Sequence, residues 1–142
     1  RILSSAASDV YKRQIMGFMD MFELIKSKKI LVGIASNAIR KNVKMILSEL
    51  KIYEKFDSII CGDEVKRGKP DPEMFDETIN RFNLKKEECL IFEDSVEGVS
   101  AAVNSRVDVV GITSSTSGEI LLDKGCITTI DNYLNFDMSI YG

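Results

Sequence analysis

What most limits the folds open to this chain is a series of short apolar runs separated by stretches with helical spacing. The runs Ile30 to Ala35, Phe56 to Cys61, Cys89 to Phe92, Asp108 to Thr113 and Cys126 to Ile130 have the length of strands, and several suit burial on both faces. Between them the period changes. Phe18, Met21, Phe22 and Ile25 fall on one face of a helix expected over Ile15 to Lys28. Val43, Ile46, Leu47 and Leu50 do the same within Ile39 to Leu50. Met74, Phe75, Thr78, Ile79 and Phe82 follow Pro72, a residue suited to a first helical turn. Shorter helices are expected near Val96 to Asn104 and over Glu119 to Asp123. Helix alternating with buried strand specifies an α/β protein with a doubly wound parallel sheet. At 142 residues, with no repeat and no low-complexity linker, the chain amounts to one domain.

Composition removes whole classes of chemistry. There is no histidine, which excludes Ser-His-Asp and Cys-His catalysis, histidine bases and most zinc sites. Carboxylates, lysine, hydroxyls, thiols or a metal bound by oxygen must carry any reaction. The three cysteines, Cys61, Cys89 and Cys126, are far apart and lie in or beside expected strands, so they read as buried free thiols of a reducing cytosol. A net charge of −3 without a basic tract recommends neither nucleic acid nor an anionic membrane as partner. No apolar run approaches the roughly 20 residues that span a bilayer. The expected location is the cytosol.

Chemistry gathers at the ends of the strands. In a parallel sheet these ends share one edge, where open α/β folds bind their ligands. Cys89-Leu90-Ile91-Phe92 runs into Glu93-Asp94, two adjacent acids that invite a raised pKa or a hard cation. About two dozen residues upstream, Lys69 sits between Gly68 and Pro70-Asp71-Pro72, which stiffen its loop. Ser36-Asn37 ends another strand and offers a hydroxyl and helix-terminal N–H groups to an anion. Taken singly, Ser36 or Asn37 reads first as an N-cap, Lys69 as a solvated lysine, and the acid pair as a solvated turn. Together they suggest a phosphate site.

On these motifs, residues from about Met16 to Asp131 resemble the haloacid dehalogenase-like (HAD) hydrolase superfamily. The resemblance is narrower to its small-cap phosphatases and β-phosphoglucomutase-like enzymes. ILVGIASN is similar to the family's second motif, GKPDPEMF to its third and LIFEDSVEGVSAA to its fourth. The resemblance implies an HAD Rossmann-like core. It further implies that the Ser36 hydroxyl and the Asn37 backbone N–H hold the transferring phosphoryl group. Lys69 would neutralise both nucleophile and phosphate. Glu93 and Asp94 would hold Mg²⁺, with Asp94 favoured as the direct ligand.

One family element is missing. The first motif, DxDx(T/V), supplies an aspartate nucleophile and an aspartate acid/base, and no DxD occurs anywhere in the sequence. Ser4 to Gln14 resembles a translated sequencing adapter, so residues 1–14 are read as foreign and residues 15–142 as the carboxyl-terminal part of a longer HAD-like core. By resemblance, that part lacks the first strand and most of the cap. The lost strand belongs between the one ending at Ser36 and the one ending at Phe92. The isolated chain is accordingly expected to be inactive and unstable or aggregation-prone, since bare strand edges invite pairing. Asn104 is expected to take a left-handed helix cap where relatives carry glycine.

The activity implied for the longer parent is Mg²⁺-dependent hydrolysis of a small phosphate monoester, a sugar phosphate or similar metabolite, through an aspartyl-phosphate. A β-phosphoglucomutase-like mutase uses the same core residues, and only the cap separates the two. A non-catalytic phosphate- or partner-binding relative is disfavoured by the retained Ser36, Lys69, Glu93 and Asp94. A receiver-type signalling domain is disfavoured by the order of elements. The sequence leaves the oligomeric state open.

Overall fold

The structure, a computed structural model, describes residues 16–134 and 136–138. The segment 1–14 read as foreign lies outside these residues. Helices and strands alternate as α1 Phe18–Ser27, β1 Gly33–Ser36, α2 Arg40–Glu49, β2 Ser58–Cys61, α3 Glu73–Phe82, β3 Leu90–Glu93, α4 Val96–Asn104, β4 Asp108–Ile112, α5 Gly118–Asp123 and β5 Thr128–Ile130. Each pairing is parallel: Gly33 lies opposite Ser58, Leu90 opposite Asp108, and Val110 opposite Thr128. Among the described residues the strands form two sheets, β1-β2 and β3-β4-β5. No ladder joins β1 to β3.

Side chains alternate across the strands with period 2, and both faces are covered. Ile34, Ile59, Cys61, Leu90, Phe92, Val110 and Ile112 join the core with Phe18, Phe22 and Ile25 of α1 and Val43 and Leu47 of α2. Ala35, Ile60, Ile91 and Val109 pack on the opposite face with Met74, Phe75 and Ile79 of α3, Val99 and Ala102 of α4 and Leu121 of α5. Each core draws on both sheets. This is the doubly wound arrangement that the alternating runs predict, with an interrupted sheet.

Two local differences have clear causes. The run starting at Ile30 enters its ladder only at Gly33, because Asp57 stands in for a strand partner just before it. Its Oδ2 accepts the Val32 N–H at 2.8 Å, and its own N–H donates to the Val32 carbonyl at 2.8 Å. The left-handed residue after α4 is Arg106 (φ 62), not Asn104. The helix runs through Asn104, and a Schellman pair closes it: the Arg106 N–H donates to the Val103 carbonyl at 2.9 Å and the Val107 N–H to that of Ala102 at 3.2 Å.

The loop after β2 is tied to the start of α2. The Arg40 guanidinium pairs with Glu64 and donates to the Ile59 carbonyl at 2.6 Å and the Tyr53 hydroxyl at 3.0 Å. Hydrogen bonding from Arg40 holds the Glu64 carboxyl below the usual range, against a smaller opposing effect of burial. A depressed carboxyl pKa stabilises the fold above the unfolded value, and that contribution disappears as pH falls through the folded one. Glu64→Gln should therefore lower the unfolding free energy measured in urea at pH 7, by less than about 1 kcal/mol for a partly exposed pair. Titrating both proteins into acid should make their midpoints converge.

Candidate active site

Ser36 is the last residue of β1 and is buried, and its Oγ accepts the Ala38 N–H at 3.2 Å. The N-cap reading fails for both Ser36 and Asn37. The cap position of α2 is Ile39, which makes no side-chain cap bond, and Asp63 Oδ1 accepts the Arg40 N–H at 3.1 Å instead. Asn37 turns its carboxamide towards the loop that carries Lys69. Its Oδ1 accepts the Lys69 N–H at 2.9 Å, and its Nδ2 donates to the Lys69 carbonyl at 3.2 Å. Two glycines make room for it. A Cβ on Gly68 would lie 2.6 Å from Asn37 Oδ1, and one on Gly62 would overlap the Asn37 carbonyl.

Lys69, joined to Pro70 by a cis peptide, sends its side chain inward. Its ammonium forms an ion pair with Glu93 Oε1 and lies 5.1 Å from the centre of the Phe75 ring. Only 5% of the lysine side chain and none of the glutamate side chain are exposed. Burial pushes the Glu93 carboxyl above its ordinary value, and the Lys69 ammonium opposes that shift. A charge buried this deeply persists only with a close partner. The Glu93 carboxylate fills the space left by the absent side chain of Gly98, on the first turn of α4, where a Cβ would overlap Oε2.

Asp94 is also buried but faces elsewhere. Its Oδ2 accepts from the Ser115 hydroxyl at 3.3 Å, and the same hydroxyl reaches the Asp94 carbonyl at 3.4 Å. Ser95 caps α4 by accepting the Gly98 N–H at 3.0 Å. The adjacent acids thus have separate partners. Glu93 Oε2 is buried without a hydrogen-bond partner, an orphan oxygen that suits a hard cation. Among the described residues, however, no group of three His, Cys, Asp or Glu could hold a metal ion. Glu93 and Asp94 supply two carboxylates, short of the six positions around Mg²⁺. All three cysteines are buried and outside any disulfide. Burial pushes Cys61 and Cys126 up to about 11, which keeps both protonated at neutral pH.

Lys69 and Glu93 thus meet directly, and the end of β1 reaches the same loop through Asn37. The pair links the lysine of one motif to the first acid of the next. The Asn37 carboxamide clamp and the Ser115 contact to Asp94 were both missed. A signal existed for each: Gly68 immediately before Lys69, and a polar loop, Ser114 to Ser117, at the carboxyl end of β4.

Comparison with known proteins places this geometry. The model of the haloacid dehalogenase-like hydrolase family matches residues 3–112. A phosphorylated carbohydrates phosphatase from Thermotoga maritima is 33% identical over 116 residues, covering 80% of this chain and 54% of the relative. Among solved structures, a HAD hydrolase of family IA, variant 3, from Entamoeba histolytica superposes with a TM-score of 0.82 at 25% identity, covering 95% of this chain and 63% of the other. A β-phosphoglucomutase-like protein from Thermotoga maritima gives a TM-score of 0.77 at 32% identity, with coverage of 81% and 54%. The chain belongs to the haloacid dehalogenase-like hydrolase family. It spans about half the length of the Thermotoga maritima relatives it matches.

The packing of Glu93 on Gly98 gives a direct test. Alanine is a better helix former than glycine by about 1 kcal/mol, so an ordinary exposed site would gain from Gly98→Ala. Here the methyl displaces a buried, paired carboxylate. Overpacking should win, with a net loss of about 1–3 kcal/mol in urea denaturation.

Proposed function

We propose that this chain forms the carboxyl-terminal part of a Mg²⁺-dependent phosphatase that hydrolyses a small phosphate monoester, a sugar phosphate or similar metabolite. The observation that carries the reading is the buried Lys69–Glu93 pair, formed where the ends of β1 and β3 approach one loop. The named activity of the Thermotoga maritima relative, a phosphorylated carbohydrates phosphatase, supports the substrate class.

In this proposal the Ser36 hydroxyl and the Asn37 N–H bind phosphoryl oxygens at the end of β1. Lys69 is the cation that stabilises charge on the phosphoryl group as it transfers, an electrostatic task for a preset ammonium. Glu93 holds that ammonium in place and, with Asp94, belongs to the metal site, where Asp94 is the direct ligand and Ser115 orients it. Mg²⁺, when bound there, neutralises charge between the phosphate and the carboxylates.

The nucleophile comes from a segment that the sequence does not contain. Among the described residues β1 and β3 each keep one edge without a strand partner. In this proposal an upstream parallel strand ending in DxDx(T/V) pairs with both edges and brings an aspartate beside Lys69. The chain alone is then inactive. A reducing compartment such as the cytosol suits its three buried cysteines, which form no disulfide.

The likeness to a β-phosphoglucomutase-like protein favours a sugar-phosphate mutase as the second reading. One experiment separates the two. The source genome's reading frame upstream of Ile15 is added, and the longer protein is given Mg²⁺ and a panel of sugar phosphates. Release of inorganic phosphate is expected, with a loss of at least about 100-fold in Asp94→Asn. An isomerised sugar phosphate without phosphate release would establish the mutase. A complete upstream frame that lacks the aspartate motif would end the enzyme reading.

A further inference from the structure

We infer that Asn37 is the positioning residue for Lys69, acting through its side chain. The inference rests on the reading of Lys69 as the cation that serves the phosphoryl group. Lys69 is held at both ends. Glu93 takes its ammonium, and the Asn37 carboxamide takes both polar groups of its backbone, at 2.9 Å and 3.2 Å. The match is chemically specific. Only a primary amide presents an acceptor and a donor side by side; a carboxylate lacks the donor, and an aliphatic side chain lacks both.

The surroundings are shaped to this contact. Gly68, immediately before the lysine, leaves the space that Asn37 Oδ1 occupies, and Gly62 admits the Asn37 backbone. The loop carries further ties of its own: the Asp71 N–H donates to the Gly68 carbonyl at 3.0 Å, and Glu73 accepts the Arg67 N–H at 2.6 Å. Those ties stay within residues 67–73, while the Asn104 carboxamide and the Ser105 hydroxyl donate to the Pro70 and Pro72 carbonyls at 3.4 Å each and hold the loop to the end of α4; none of these bonds reaches a strand end. Asn37 alone among these groups sits at the end of β1, and Glu93 sits at the end of β3. No ladder joins those two strands among the described residues. The span Asn37–Lys69–Glu93 therefore bridges the two sheets on their functional edge. Asn37 sets where the lysine starts, and Glu93 sets where its charge ends.

The test reads the position of Lys69 without turnover, so it is independent of whether the phosphatase reading holds. The protein lengthened by its upstream reading frame is treated with a limiting amine-acetylating reagent, and labelling is quantified for each lysine by mass spectrometry. In parallel, alkylation of Cys61, Cys89 and Cys126 reports global opening. In the wild type Lys69 should be protected relative to exposed Lys44. Asn37→Leu should raise Lys69 labelling about tenfold, the population shift expected when two hydrogen bonds to one loop residue are lost. The other lysines and the thiols should not change. Lys69 labelling at the wild-type level with protected thiols would overturn the inference. If Asn37→Leu exposes the thiols as well, Asn37→Asp decides, since it keeps the acceptor for the Lys69 N–H and loses only the donor. A rise at Lys69 with protected thiols then supports the positioning role. No rise, or a rise only together with the thiols, overturns it.

Discussion

The buried ion pair of Lys69 and Glu93 is the contact on which the organisation of this molecule turns. Its two residues come from different sides of an interrupted sheet, and both side chains are almost wholly removed from water. Burying such a pair adds little to stability compared with an apolar contact, because desolvation offsets most of the attraction. Removing either member is costly, since the survivor is left as a lone buried charge. The pair is therefore better understood as a device for fixing geometry. It determines which loop conformation is allowed, and it requires glycine at position 98 for the carboxylate to fit.

Around that contact the fold is ordinary in its physics. Strands β1 to β4, of four or five residues, are covered on both faces while β5 at the edge stays partly exposed, and the period-2 alternation assigns neighbouring side chains to opposite cores. The pair lies at the edge where α/β folds collect ligands. The interruption between β1 and β3 is the one departure. Two apolar cores that each span both sheets hold the halves together where backbone hydrogen bonds do not. No helix among the described residues is long and apolar enough to cross a membrane.

Much of this was legible in the sequence. The apolar runs gave every strand, and the helical spacing of Met74, Phe75, Thr78 and Ile79 gave the buried face of α3. The family motifs marked Ser36, Lys69, Glu93 and Asp94. What stayed hidden depends on side-chain direction. Glu93 and Asp94 are neighbours, yet strand geometry sends adjacent side chains to different surroundings, so one meets Lys69 and the other Ser115. Asn37 looked like a helix cap because caps favour asparagine; the helix starts two residues too late for that role. Arg106 took the left-handed position because α4 runs through Asn104, something helix propensity does not decide.

A double-mutant cycle on the two charges measures how far each depends on the other. Stability by urea denaturation would be compared for the wild type, Lys69→Met, Glu93→Gln and the double variant. Strong coupling is expected, about 2–3 kcal/mol, with the double variant close to or above the better single one. Additivity within about 0.5 kcal/mol would mean that the two groups do not depend on each other. The bridge between the sheets would then have to lie elsewhere.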